Sequence, residues 1–251
     1  MRKKISLVGS GNIGGTLAHL IALKELGDIT LIDIVKGVPQ GKALDLAQSS
    51  SVELFDVNIE GSNNYSSLKN SDVVIITAGI PRLPGMSRDD LLETNTKIIS
   101  TIGKAVKKYC PKAFLICITN PLDAMVSILQ SSSKVKHHMC VGMAGILDSS
   151  RMKYFLSKAL NVSIKNIETF VLGGHGDTMV PMLRYTTISG ISIQELIMNK
   201  TISKKRVNDI LKRTQNGGGE INRLLKKGSA FYAPASSAVQ MAESFLKNKK
   251  M

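Results

Sequence analysis

The stretch KISLVGSGNIGGTLAHLIAL, residues 4–23, changes its periodicity at the glycines. Ile5, Leu7 and Val8 belong to a short apolar run of the strand type. Ile13, Leu17, Leu20, Ile21 and Ala22 then recur at helical spacing, and Gly27 ends the helix. Between the two lies Gly9-Ser10-Gly11-Asn12-Ile13-Gly14. Alone, a GxGxxG run says little; closing a strand and opening a helix, it stands in the context that gives it meaning. The glycines permit a tight turn and let backbone approach a pyrophosphate, which rests on the first amides of the helix. A glycine-rich turn without a ligand is the competing reading, but it leaves Asp33 unexplained. Asp33 lies 19 residues past Gly14, at the end of the next apolar run, DITLIDI. A carboxylate there accepts both hydroxyls of an adenosine ribose and repels a 2′-phosphate, which favours NAD over NADP.

Further apolar runs follow at 72–79 (DVVIITAG), 113–119 (AFLICIT) and 139–145 (MCVGMAG), with helical segments at about 40–50, 89–109 and 122–131 between them. Continuous apolar strands alternating with amphipathic helices specify a parallel sheet covered on both faces. The expected fold class is α/β: a Rossmann doubly wound parallel sheet over 1–145, followed by an α+β substrate domain over 146–251. The 251 residues, 43% hydrophobic, suffice for one large or two small cores. No apolar run reaches the 18 or more residues of a membrane span. Cys110, Cys117 and Cys140 form no CxxC pair, so a reduced, cytoplasmic chain without disulfides or a metal site is expected. The net charge of +14 raises nucleic acid as a partner, but 25 of the 33 basic residues are scattered lysines, aromatics make up 4% and tryptophan is absent. That composition supplies little base-stacking surface and reads as a lysine-rich solvated exterior.

Ligands in such sheets bind beyond the carboxyl ends of the strands. There the third run ends in Thr77-Ala78-Gly79, followed by a Pro- and Gly-punctuated loop carrying Arg82 and Arg88, the pattern of a lid. The next run ends at Asn120. After the fifth comes DSSR, in which Asp148 reads as an N-cap and Arg151 falls one turn further along the same face. Finally LGGHGD puts His175, one of four histidines, between glycines. A carboxylate on one ring nitrogen fixes the tautomer of an imidazole and leaves the other nitrogen to exchange a proton with substrate. A guanidinium offers a planar fork to a substrate carboxylate.

GSGNIGG, the acidic end of LIDI, TAGIPRLPGMSRDDLL, ITNPLD, GILDSSR and LGGHGD together resemble the lactate/malate dehydrogenase family, most closely its bacterial malate dehydrogenases of lactate-dehydrogenase-like type. The resemblance extends from residue 3 to the last residues. It implies NAD as cofactor, held by Gly9, Gly11, Asn12, Ile13, Gly14 and Asp33, with Thr77, Ala78, Gly79 and Ile118 also lining it. Asn95 and Asn120 would sit by the nicotinamide and substrate. His175 would accept the proton in malate oxidation, oriented by Asp148. Arg151 would grip the carboxylate beside the reacting carbon, and Arg88 would polarise the carbonyl. Arg82 would choose the substrate. Lactate dehydrogenases carry an uncharged Gln at the matching position, and a second guanidinium calls for a second carboxylate, because a buried unpaired charge is costly. The implied reaction is (S)-malate plus NAD⁺ to oxaloacetate, NADH and a proton, in a homodimer or homotetramer.

The second half is expected to hold a helix at about 149–160, the strand ETFVLGG (168–174) with LRYTTIS (183–189) as its partner, helical runs at 192–199 and 203–226, and a last amphipathic helix, SSAVQMAESFLK. No strand precedes NGGGE (216–220), which reads as a helix packed closely on a neighbour rather than as a phosphate loop. Family members continue with further strands of the small sheet and a final long helix, so exposed apolar faces, weak NAD binding and low turnover are expected of these 251 residues. The alternatives are a catalytically silent NAD-binding fragment and a lactate-type 2-hydroxy-acid dehydrogenase.

Overall fold

The computed structural model describes residues 2–81, 85, 87–176 and 178–250, with the side chain of Arg88 outside the description. The strands β1 (Lys4–Val8), β2 (Asp28–Ile32), β3 (Ile59–Ser62), β4 (Val73–Ile76), β5 (Phe114–Cys117) and β6 (Cys140–Gly142) form one sheet in the order β3-β2-β1-β4-β5-β6. Every pairing in it is parallel. α1 (Asn12–Leu23), α2 (Val38–Glu53), α3 (Arg88–Tyr109) and α4 (Leu122–Ser133) accompany it. This is the doubly wound Rossmann order. The chain reverses direction across the sheet between β1 and β4, so the turns after these two strands flank the crevice where such folds bind ligand. All four residues of β4 and of β5 are buried, as continuous apolar runs require. Cys117 is a core residue, and burial pushes its thiol up to about 12.

One strand, β3, has no apolar run to announce it. It lies at the sheet edge, where only Ile59 is buried, and Gly61 interrupts its pattern. The glycine belongs to packing: a Cβ there would stand 2.3 Å from the Pro39 carbonyl, where α2 begins.

The second unit is built on α5 (Gly145–Leu160). The expected strand at 168–174 is two strands: β7 (Ile167–Glu168) and β8 (Val171–Gly173). β8 pairs with β9 (Met179–Pro181), whereas β7 pairs with β10 (Thr187–Ile188), which also pairs with β11 (Ile191–Ser192). The expected partner LRYTTIS is thus corrected. Its first residues form a 3₁₀ turn, Leu183–Tyr185, and only Thr187 and Ile188 reach a ladder. α6 (Ile193–Met198) follows. The helical run at 203–226 is also divided, into α7 (Lys204–Gln215) and α8 (Gly217–Leu225), with Asn216 ending one and starting the other. Met152, Leu156, Ile167, Val171, Ile193 and Val207 belong to the core of this unit.

α9 (Tyr232–Leu246) returns to the first unit. It packs on α1 through a face of small residues, with Ala235, Ala238, Val239 and Ala242 buried, and Phe245 stacks on Phe114 of β5 at 4.3 Å between ring centres. The compact units are therefore Met1–Met143 with Phe231–Met251, and Ala144–Ala230. The sequence reading assigns all of 146–251 to the second domain. The difference arises because an Ala-rich face fits the close approach of two helices, a preference that a hydropathy pattern does not direct to any particular partner. Among the described residues, no helix is long and apolar enough to cross a membrane.

Candidate active site and cofactor site

In the first unit the glycine turn is shaped by contacts with β4's exit. Gly9 adopts a φ of +107°, and a Cβ on it would lie 2.4 Å from Thr77 Oγ1. A Cβ on Gly14 would fall 2.0 Å from the Gly9 carbonyl oxygen. Both positions are closed to any other residue. Gly11 differs: a Cβ there meets nothing within 4 Å. Its glycine thus leaves space above the turn rather than making room for the protein itself. Gly11 is the N-cap of α1 and supplies no side-chain cap, so the helix opens with uncapped amides beside that space. Open room over uncapped N-terminal amides suits a pyrophosphate.

Asp33 does more than the sequence suggests. Its Oδ2 accepts the Ser10 amide at 2.6 Å and its Oδ1 accepts the Val35 amide at 3.0 Å. The carboxylate thus fastens the glycine turn to the end of β2 and keeps lone pairs for ribose hydroxyls. Lys42 Nζ donates to the Gly11 carbonyl at 3.0 Å, a cation at the turn that no motif marks.

At β4's exit, Thr77 Oγ1 donates to the Gly9 carbonyl at 3.1 Å and Thr119 Oγ1 donates to Ala78 at 2.8 Å. A Cβ on Gly79 would lie 2.5 Å from Thr119 Cγ2. Fully buried Asn95 accepts the Ile80 amide at 2.9 Å and donates to the Asn120 carbonyl at 2.8 Å, tying α3 to the loops after β4 and β5. The Asn120–Pro121 peptide is cis, and Ile118 is buried beside it with its amide bonded to Ile76. Arg82 lies outside the described residues. Arg88 is the first residue of α3, behind a capping box in which Ser87 accepts the Asp90 amide and Asp90 accepts that of Ser87.

In the second unit three side chains converge. His175 Nδ1 lies 2.9 Å from Asp148 Oδ2, and Arg151 donates from Nη1 to Asp148 Oδ1 at 3.2 Å. One carboxylate therefore bridges imidazole and guanidinium. Asp148 is 3% exposed, Arg151 14% and His175 18%. Asp148 is not an N-cap. α5 begins at Gly145 and Asp148 sits inside its first turn, where the helix dipole favours a negative charge. His175 is carried at the tip of the β8–β9 hairpin. Gly173 has a φ of +84° there, and a Cβ on it would come 2.7 Å from the Thr178 carbonyl. Ser149 Oγ accepts the Val171 amide at 3.0 Å, fixing the hairpin to α5 one residue beyond Asp148. Burial pulls the Arg151 guanidinium below its ordinary value and the Asp148 charge opposes that shift. A guanidinium so placed keeps its charge and has N–H donors beyond the one given to Asp148.

This pairing of a doubly wound domain with a carboxylate-held histidine and a buried arginine is the architecture of an NAD-dependent 2-hydroxyacid dehydrogenase. Residues 3–142 match the family model of the lactate/malate dehydrogenase NAD binding domain, and residues 146–251 match that of the lactate/malate dehydrogenase alpha/beta C-terminal domain. The chain belongs to the lactate/malate dehydrogenase family. Solved structures agree. The malate dehydrogenase of Cryptosporidium parvum is 51% identical, with a TM-score of 0.96, over 100% of this chain and 80% of that one. The lactate dehydrogenase of Eimeria maxima, solved with NADH and oxamate, is 53% identical, with a TM-score of 0.94, over 98% and 75%. The malate dehydrogenase of Picrophilus torridus is 42% identical, with a TM-score of 0.95, over 100% and 78%. The cofactor of the matched domain is NAD, and both malate and lactate enzymes lie among the similar structures.

Proposed function

We propose that the chain oxidises (S)-malate to oxaloacetate with NAD⁺ as acceptor, reversibly. The observation that carries the acid–base part is the Asp148 carboxylate shared between His175 and Arg151. With Nδ1–H held by Asp148, Nε2 of His175 is the nitrogen that takes the proton from the substrate hydroxyl, and the adjacent carboxylate stabilises the imidazolium so formed. Arg151 binds the carboxylate next to the reacting carbon through its planar fork. NAD, when bound, supplies the acceptor for the hydride that leaves that carbon. Gly9, Gly11, Asn12, Ile13, Gly14 and Asp33 hold it, with Thr77, Ala78, Gly79 and Ile118 lining the same cleft. Asn120 lines the nicotinamide end and faces the substrate, and fully buried Asn95 supports that loop from behind rather than touching the cofactor. Arg88 stabilises charge on the carbonyl oxygen.

Malate rather than lactate rests on Arg82 in the sequence, a second guanidinium that matches a second substrate carboxylate. The test is Arg82→Gln, with kcat/KM measured for oxaloacetate and pyruvate. A swing of about 10²-fold or more toward pyruvate is expected, equivalent to one charge-assisted contact of roughly 3 kcal/mol. An unchanged ratio removes the specificity role. The lactate-type reading is favoured by the 53% identity to the Eimeria maxima lactate dehydrogenase, and the unaltered chain preferring pyruvate would establish it. We further infer a cytoplasmic homo-oligomer.

A further inference from the structure

We infer that Gly217 is a positioning residue for the Arg151 guanidinium, a seat that the break between α7 and α8 exists to provide. The inference rests on Arg151 being the substrate-carboxylate ligand. A Cβ on Gly217 would lie 2.8 Å from Arg151 Cδ and 3.1 Å from Nε, so any other residue displaces the arginine stem. Gly217 is buried, and its helical neighbour Gly218 would place a Cβ at an ordinary 3.6 Å from Nη2. Gly219, one position further on, is exposed and clear of Arg151. The bare backbone of the first turn of α8 thus packs against the arginine whose guanidinium is bonded to Asp148.

Side chains tie this turn to its neighbours. Arg213, near the end of α7, donates to both carboxylate oxygens of Glu220 on α8, at 2.8 and 2.6 Å, and lies over the Phe155 ring of α5 at 4.4 Å. Asn216 bonds back to the Lys212 carbonyl at 2.9 Å and ends α7. The helix that carries Arg151 and the helix that supports it are therefore held together, one turn away from the contact. An arginine bonded to Asp148 and packed against the α8 backbone is restricted in how it meets a carboxylate, and small displacements of such groups are expensive.

The test uses oxalate, an unreactive carboxylate probe, titrated against the NADH-bound protein by nucleotide fluorescence. Gly217→Ala is expected to raise the oxalate Kd at least tenfold while leaving the NADH Kd unchanged. Gly219→Ala, the same change in the same turn, leaves both unchanged. In an Arg151→Ala background, adding Gly217→Ala has no further effect. If Gly217→Ala alone fails to fold, the double variant folds, because the clashing stem is gone. Native oxalate affinity in Gly217→Ala, or a double variant that is worse than Arg151→Ala or does not fold, overturns the positioning role. Failure of the underlying assignment has a separate signature: Arg151→Ala would bind oxalate as the unaltered protein does, or the unaltered protein would not bind it.

Discussion

Asp148 bridges an imidazole and a guanidinium, and each of the two contacts has its own consequence. Replacement by Asn keeps the size and removes the charge. The imidazolium then loses its stabilising partner, and kcat is expected to fall by about 10²–10⁴-fold, the range of positioned acid–base catalysis. The NADH Kd is expected to stay constant, because the glycine turn and Asp33 belong to the other unit. The same change leaves Arg151 buried without its counter-charge, at a cost of about 3 kcal/mol in unfolding free energy measured with urea. A variant that loses stability and retains turnover would show that Asp148 is only a counter-ion. The sequence places Asp148 and Arg151 on one helical face by spacing alone. It does not show that the helix starts before Asp148, because Gly145 and Ile146 carry no cap signal and Asp is a common N-cap.

At the level of elements, Gly14 and Gly11 in the turn after β1 have separate jobs. Gly14→Ala meets backbone at 2.0 Å and is expected to lower both thermal stability and NADH affinity. Gly11→Ala meets nothing, so it is expected to leave the melting temperature within about 2 °C while weakening NADH by about tenfold, the loss of one contact of roughly 1.4 kcal/mol. Equal effects of the two would deny that the space over Gly11 is reserved for a phosphate. α9 carries an acid-sensitive clasp. Hydrogen bonds from Lys249 and Lys247 pull the Glu243 carboxyl down to about 2, and Lys24 of α1 lies at 3.5 Å. A lowered carboxyl stabilises the fold above the unfolded value of 4.5 and loses that contribution as pH falls through 4.5 toward 2. Glu243→Gln is therefore expected to melt below the unaltered protein at pH 7, with the gap closing near pH 2; a constant gap would assign the effect to packing. The strands were legible where they are buried on both faces. β3 was not, since an edge strand buries one residue in four, and neither was the division of 168–174, since β7 and β8 are too short to show a period.

Across the whole molecule, the NAD-binding unit is assembled from both ends of the sequence. The motifs pointed to the family and its cofactor because phosphate, ribose and carboxylate recognition demand particular residue types at fixed offsets. They were silent on where the last helix packs, since Ala235, Ala238 and Ala242 fit any close helix pair. A fragment of residues 1–145 lacks that helix and exposes the surface of α1 that it covers. It is expected to melt at least about 5 °C below the full chain, with joining 231–251 to residue 143 through a short flexible linker restoring the loss; a fragment as stable as the whole would make α9 an ornament of the unit.

This arrangement sets an order of events during synthesis. The first six strands leave the ribosome early, yet the surface they bury against α9 waits for 87 intervening residues, Ala144–Ala230, to be made. At 5–20 residues per second that interval is about 4–17 s. Through it the nascent sheet carries an uncovered apolar flank, the state in which a chaperone that grips extended hydrophobic chain has most to bind.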